Sequence, residues 1–579
     1  MSQVLDGYWL PGKIRETLIT AETLWITQCY KAGRPADAEE PGAVCVRWPL
    51  FSTSQWSQLL AMLKEQRIPP PADFIDRLQG ALEALSKRFG DPKDSLNQEA
   101  LSTIPAYTGY APEMIQFVLG ALDLMPLDTL AEIVDLSLPG KIRRQFVPFR
   151  DQGMLKGRVR FYGHGAGGFL TRLFSGYRQE NFPYQSRHPD LILGYAAGNV
   201  IGTAHLISML AQVSSLIAPG VLTEEPRIPA VLIKNSRQEP IFGPLIFSAL
   251  EQIDPQLTRT VSLMIWDYDD NITQESLISR SDLVIAAAAD FTIDQIDEVI
   301  QRVQTPSHPI RFHKHGHKVS FSTIGSAYLK KNMPVPDISG LEMVHLVTTL
   351  AAVDSIFWDQ YGCLSSRVHF IQSGGADAYT PLEYGHFLAE KIRLLSRFLP
   401  RGAIPLHGLH NRFEKYAAMV PSGQVELCSS YEDDFLVIVD SRKWIAHTFQ
   451  GVVNDCIERT IVIRPVENLM EVPRQYLGSL PEKNLQTMSV AIDAPGQETW
   501  SDEFYRFVDA VGKLGVTGVR TVGRGAFPQM AYSWDGYLPL DLSLERPEGY
   551  FTTVEFEDTF GQILDTYQLY ASRVGMGAM

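Results

Sequence analysis

Apolar and polar positions follow two different rhythms along this chain. Up to about residue 150 the pattern is mixed in polarity and mainly helical, with breaks at Pro69-Pro70-Pro71 and Gly90-Asp91-Pro92. From about 190, short apolar runs alternate with helix-like stretches. Residues 230–233 (Ala-Val-Leu-Ile) end in Lys234, 243–253 read as a helix, 261–266 as a strand, and 282–287 as another strand after a further helix. Strands separated by helices in this rhythm predict a parallel sheet covered on both faces. The last third keeps the mixed character, with strands expected at 435–439, 460–463 and 488–492.

Residues 191–222 carry no charge and imitate a membrane span. Gly194, Gly198, Asn199, Gly202, His205 and Gln212 interrupt the run, which ends at Pro219-Gly220. A buried strand, turn and helix accounts for it better than a span.

With 579 residues the chain is long enough for several domains with ample core. A net charge of −15 argues against nucleic acid or an anionic membrane as the main partner. Five cysteines (Cys29, Cys45, Cys363, Cys428, Cys456) are odd in number and lack CxxC spacing, so all five are expected as reduced thiols of a cytoplasmic protein. The N-terminus shows neither a basic nor an apolar signal region, and no secretion signal is expected.

The chemistry centres on Cys363. The stretch Asp359-Gln360-Tyr361-Gly362-Cys363-Leu364-Ser365-Ser366 sits between a helix-like apolar run, 343–358, and a strand-like one, 368–371. A thiol at a tight helix-to-strand junction can meet substrate while local backbone N–H groups point at the same spot. The plainer alternative is a small buried hydrophobe. Asn199, an amide in an apolar strand-to-helix turn, either caps the helix or donates to an oxyanion. Gly163 to Gly168 fits GxGxxG, but the strand before it is basic and a surface loop explains it better than a phosphate site. His313, His315 and His317 alternate, so in a strand all three would share a face. No Cys, Asp or Glu stands at a companion spacing, which favours a polar strand end lining a cleft over a metal site.

Taken in order, Ala197-Gly198-Asn199, Ile233-Lys234-Asn235-Ser236, His315-Gly316-His317-Lys318 and Asp359-Gln360-Tyr361-Gly362-Cys363 resemble the aldehyde dehydrogenase superfamily. The nearer resemblance is to the acyl-CoA reductases typified by the fatty-acid reductase subunit of bacterial bioluminescence, the LuxC-like enzymes. Asn484-Leu485-Gln486-Thr487, residues 515–520 and Trp534-Asp535-Gly536 are similar to that family's later motifs. The resemblance spans roughly residues 100 to 545.

It implies an α/β, aldehyde dehydrogenase-like fold. A mainly helical region over 1–100 would precede a Rossmann-like NADPH-binding domain over 101–335. A catalytic domain over 336–530 and a C-terminal return and bridging segment over 531–579 would follow. Carried over by position, Cys363 is the nucleophile, and Asn199 donates to the oxyanion with the Cys363 backbone N–H. Lys234 falls where the superfamily contacts the adenosine ribose, with Ser236 and Arg237 beside it as cofactor-binding residues. Two departures shape the expectation. The position of the carboxylate that activates a deacylating water holds Lys314, so the acyl-enzyme is free to take hydride instead. The position of the NAD-selecting glutamate holds Arg237, which favours the 2′-phosphate of NADPH. A third departure is Ala287-Ala288-Ala289 in place of the Gly-Ser turn near the nicotinamide.

The expected activity is reduction of an acyl thioester to an aldehyde through acyl-Cys363. The acyl donor would be acyl-CoA, acyl carrier protein or an acylated partner enzyme, with no metal and a homo-oligomer by analogy. The site must then lower the Cys363 pKa, by a helix N-terminus or one of the histidines. The alternatives are an aldehyde dehydrogenase that oxidises aldehydes to acids, and a non-catalytic partner that holds an acyl group in a biosynthetic complex.

Overall fold

The apolar runs become two large sheets, the first parallel throughout and the second mostly parallel, in the computed structural model, which describes residues 4–120, 147–148, 157–162, 185–186, 188–215, 227–336, 338–403, 405–493, 500–526, 533–537, 542, 544–545, 552–557 and 560–573. The first sheet has five parallel strands in the order Val261–Met264, Ala230–Lys234, Leu191–Tyr195, Leu283–Ala287, Arg311–His315. The helices Thr203–Ser214, Phe242–Ile253, Asn271–Ile278 and Asp290–Val303 connect them. Each of the four strands from Leu191 to Ala287 is apolar along nearly its whole length and buried, as a sheet covered on both faces requires. The chain steps outward from Leu191–Tyr195, then returns to that strand's other side at Leu283–Ala287. That reversal leaves a crevice at the carboxyl ends of these two strands, the place where doubly wound sheets take ligands. The uncharged run is thus a buried strand and a buried helix as far as Ser215, and its remainder lies outside the described residues. Among the described residues no helix is long and apolar enough to cross a membrane.

The second sheet is built around Val319–Ile324, flanked in parallel by Ser366–Gln372 and Leu485–Ala491. It extends through Thr460–Val466 and Leu436–Asp440 on one side, and through Gly518–Thr521 and Thr552–Glu557 on the other. Val319–Ile324 follows Arg311–His315 after only three residues. The carboxyl ends of the first sheet therefore face the amino ends of the second.

The N-terminal region holds the helices Thr53–Glu65, Phe74–Gly90 and Ser95–Thr108, and strands precede them. Val4–Asp6, Val44–Pro49, Trp25–Lys31 and Arg34–Pro35 form a four-stranded sheet. Trp9 and Leu263 exchange two backbone hydrogen bonds of 2.9 Å, so the segment after this sheet's first strand covers the outer edge of the five-stranded sheet. The antiparallel register sets Cys29 directly opposite Cys45, and their sulfurs are bonded. The expectation of five reduced thiols is corrected accordingly: three are free, and pairing depended on a strand register invisible in the spacing.

Between the helix Met343–Ile356 and the strand Ser366–Gln372 the backbone turns sharply. Trp358, Asp359 and Gln360 all adopt positive φ, 53°, 48° and 66°. Two side chains pin this turn to the start of strand Thr460–Val466. Asp359 accepts from Arg459 Nε at 2.7 Å, both side chains being essentially without solvent contact, and Gln360 Oε1 accepts from the Thr460 N–H at 2.9 Å. Replacing Arg459 with Met should strand a buried carboxylate and cost about 3–5 kcal/mol of stability by urea denaturation. A loss below about 1 kcal/mol would show that the turn holds without the pair.

Candidate active site

Cys363 leaves that turn partly accessible, ahead of the strand Ser366–Gln372. Its carbonyl accepts from Ser320 Oγ at 2.8 Å, and Ser365 Oγ donates to Phe357 O at 3.0 Å, closing the loop on itself. Tyr361 OH donates to Glu458 at 2.9 Å. From the first sheet comes Asn199, whose Nδ2 donates to Tyr361 O at 2.8 Å while its own carbonyl accepts from Tyr110 OH. The structure therefore brings Asn199 to the Cys363 loop. One of its two amide hydrogens is spent on Tyr361, leaving the other.

The thiol does not have the lowered pKa expected of it. Burial, reinforced by the charge of Asp535, pushes Cys363 up to about 11, while a hydrogen bond from Gln486 and the charge of Lys318 act in the opposite sense. The expectation that a histidine or a helix end would lower it is corrected. The nearest influential charge is a carboxylate, and the neighbouring histidine is occupied by that same carboxylate.

His313 and His315 do share a buried face of their strand, but His317 lies beyond its end and is exposed. His313 stacks on Tyr537 at 4.2 Å and His315 on Trp534 at 3.8 Å. His315 Nδ1 is 2.9 Å from Asp535 Oδ2, and Gln486 Nε2 donates to Asp535 Oδ1 at 2.5 Å. Burial lowers the pKa of His315 against the pull of Asp535, so the ring rests neutral. For Asp535 burial acts upward, but Lys318 with the hydrogen bonds of His315 and Gln486 outweighs it and keeps the carboxylate ionised. Gln486 and Asp535 received no role from sequence. Their only signal was membership of the two motifs around them, 484–487 and 534–536. Lys314 points to the other face, exposed and paired with Asp297 at 2.7 Å. Among the described residues no group of three or more His, Cys, Asp or Glu is arranged around a metal position.

At the carboxyl end of Ala230–Lys234, Lys234 reaches over the ring of Trp266 at 5.6 Å. No carboxylate pairs with it among the described residues. Burial and the nearby Arg237 lower its pKa to about 8. Ser236 belongs to a tight turn in which its hydroxyl accepts from the Gln238 N–H at 3.2 Å. Gly198 abuts that hydroxyl so closely that a Cβ would collide, which ties the Asn199 turn to the Lys234 turn. Arg237 is paired with Asp267 and lies 5.4 Å from the ring of Trp48. A lysine without a carboxylate partner among the described residues and an arginine, at and just past the carboxyl end of the strand beside the switch point, suit the phosphorylated end of a dinucleotide. The GxGxxG stretch of 163–168 lies outside the described residues.

Solved structures share this architecture across nearly the whole chain. An oxidoreductase from Marinobacter aquaeolei matches with a TM-score of 0.54 at 11% identity, covering 92% of this chain and 95% of its own. Aldehyde dehydrogenase 21 from Physcomitrella patens matches at 0.53 with 9% identity, covering 96% and 98%. Lactaldehyde dehydrogenase from Escherichia coli matches at 0.52 with 10% identity, covering 96% and 100%. At such identities the likeness shows the fold, which is that of the aldehyde dehydrogenases. No curated protein matches the sequence. The family profile described as acyl-CoA reductase (LuxC) matches residues 174–545, more than half of the chain, and takes in the Asn199, Lys234, Cys363, Gln486 and Asp535 segments. The chain therefore belongs to the LuxC acyl-CoA reductase family, oxidoreductases of acyl and aldehyde groups.

Proposed function

We propose that this protein reduces an acyl thioester to an aldehyde, with Cys363 as the covalent nucleophile and NADPH as the reductant. The observation that carries the reading is the convergence on one partly accessible residue, Cys363, of an amide from the turn after the first sheet's Leu191–Tyr195, through Asn199 and Tyr361, and the buried polar pair of Gln486 on the second sheet with Asp535 of the 534–537 turn. Cys363 sulfur attacks the thioester carbonyl, and the free amide hydrogen of Asn199 with the Cys363 backbone N–H receives the oxyanion. The carbonyl re-forms as the original thiolate leaves and takes the proton that Cys363 gave up. When bound, a reduced nicotinamide would supply hydride to the acyl carbon. Collapse then breaks the carbon–sulfur bond, and the thiolate regains a proton as the aldehyde departs. Each oxyanion donor is worth on the order of 3 kcal/mol of barrier. Lys314, exposed and paired with Asp297, offers no base to activate water, so hydrolysis of the acyl-enzyme is disfavoured.

In this reading residues 101–335 hold the cofactor and 336–530 carry the nucleophile. Lys234, Ser236 and Arg237 would hold the adenosine end. Asp267 competes with a 2′-phosphate for Arg237, and the phosphate, carrying more charge and more acceptors, displaces it. The acyl donor is acyl-CoA, an acyl carrier protein or an acylated partner enzyme.

Intact mass after mixing with a long-chain acyl-CoA should show one acyl adduct on Cys363 that disappears with NADPH as aldehyde accumulates. Cys363→Ser should form no adduct, and a variant that still reduces at the full rate would sink the assignment. Arg237→Ala should lose roughly tenfold or more in kcat/KM for NADPH with little change for NADH, a charged hydrogen bond being worth about 1.5–3 kcal/mol. Equal losses with both cofactors would instead point to a structural role. Lys234 carries its charge below about 8 and loses it above. NADPH affinity, followed by fluorescence, should therefore weaken as pH rises from 7 to 9, and Lys234→Met should abolish that slope. A slope unchanged in the variant would remove Lys234 from the cofactor site.

A further inference from the structure

Ser320 stands between two irregularities of the second sheet. Against Leu485–Ala491 the register slips between Val319 and Phe321, and against Ser366–Gln372 it slips between Ser320 and Phe321. Such bulges re-aim side chains beside sites. Here they place Gln486 and the Cys363 carbonyl around one hydroxyl, Ser320 Oγ, which is 3.4 Å from Gln486 Oε1 and 2.8 Å from Cys363 O. Gln486 is 3% exposed, and the side chains of Asp535 and His315 behind it are 2% and 4% exposed. An ionised carboxylate only accepts, so the end of the Gln486 amide that meets Asp535 must be nitrogen. The same argument assigns the proton of His315 to Nδ1. With one amide hydrogen on Asp535, the other is left for the sulfur.

We propose that Gln486 is a catalytic residue whose second amide hydrogen donates to Cys363 sulfur as the thiolate forms, and that Asp535 and His315 are positioning residues that fix the amide in that orientation. The assignment rests on Cys363 being the nucleophile. Three charges bear on the thiol: Asp535 opposes ionisation, while Lys318 and, through its coupling to the sulfur, Arg367 favour it. Gln486 is the neutral donor between the ionised Asp535 carboxylate and the sulfur that becomes anionic in the reaction. It hydrogen-bonds both, and so reduces the penalty of ionising a thiol beside a carboxylate.

The test is the pH dependence of Cys363 alkylation by iodoacetamide, followed by peptide mass, in the full-length protein and in two variants. Gln486→Met keeps the volume and removes the donor. Its profile should move to higher pH by about one unit, making alkylation at pH 8 roughly tenfold slower. Gln486→Glu keeps the shape and adds a charge, and its profile should move at least as far. If one variant fails to fold by circular dichroism, the other carries the test. Profiles that superimpose on that of the unmodified protein would overturn the proposal. The acyl adduct is scored separately. A shifted alkylation profile with no acylation of Cys363 would leave the Gln486 contact standing and remove the nucleophile assignment, whereas acylation with unshifted profiles would do the reverse.

Discussion

The site depends on the buried ion pair of Asp359 and Arg459. Three consecutive residues with side chains, Trp358 to Gln360, sit in left-handed backbone, each at a cost on the order of 1–3 kcal/mol. A turn of that kind persists only if its surroundings over-determine it. Arg459 supplies the constraint, donating to Asp359, to Ser396 Oγ at 3.1 Å and to Leu399 O at 2.9 Å. Asp359 also accepts from the Gly402 N–H at 3.0 Å. With every partner in place the pair satisfies itself away from water, and the turn it holds aims the following residues out of the core. Cys363 is accessible because Asp359 is not.

The two sheets meet through a short covalent link and several polar ones. His315 ends one strand and Val319 begins the next, so Gly316-His317-Lys318 spans the junction. On one side of it Lys318 Nζ donates to Lys483 O at 2.7 Å, and Asn484 Nδ2 donates to His317 O at 2.6 Å. Asn199 reaches across from the strand-to-helix turn after Leu191–Tyr195 to Tyr361. Ser320 and Gln486 stand on strands of the second sheet and Asn199 on a turn leaving the first, which gives the precision that a loop alone lacks. The tryptophan and tyrosine of 534–537 close the remaining side by stacking on His315 and His313.

How much of this was legible follows from how local each feature is. The runs ending at Lys234 and Ala287 are short, apolar and bounded by helices, and they became strands of one sheet, on either side of Leu191–Tyr195. The tight junction that carries Cys363 was legible because its motif is contiguous and stands between a helix and a strand. The first sheet to form from the N-terminus was not, since Trp25–Lys31 mixes polar and apolar residues and one of its faces is only partly buried. Nor was the Cys29–Cys45 bond, which needs the register. Gln486, Asp535 and His315 are separated by 49 and 220 positions along their two contacts, and nothing in spacing or periodicity joins them. The pKa of the thiol failed for the same reason: it is set by burial and by a carboxylate distant in sequence.

With its thiol pushed up to about 11, Cys363 rests protonated. In the proposed exchange with a thioester one thiol is consumed and another released, with no net proton gained, and the nucleophilic thiolate has to form as the attack proceeds. What the reaction requires is stabilisation that appears with the charge, because only interactions stronger in the transition state than in the ground state lower the barrier. A neutral amide held in place by an ionised carboxylate meets that requirement: it binds a thiol weakly and a forming thiolate strongly, and it needs no rearrangement to do so. Lys318, with the hydrogen bonds of the buried, stacked histidine and of Gln486, keeps that carboxylate ionised, so that in the proposed reaction the field at the sulfur is fixed before substrate arrives.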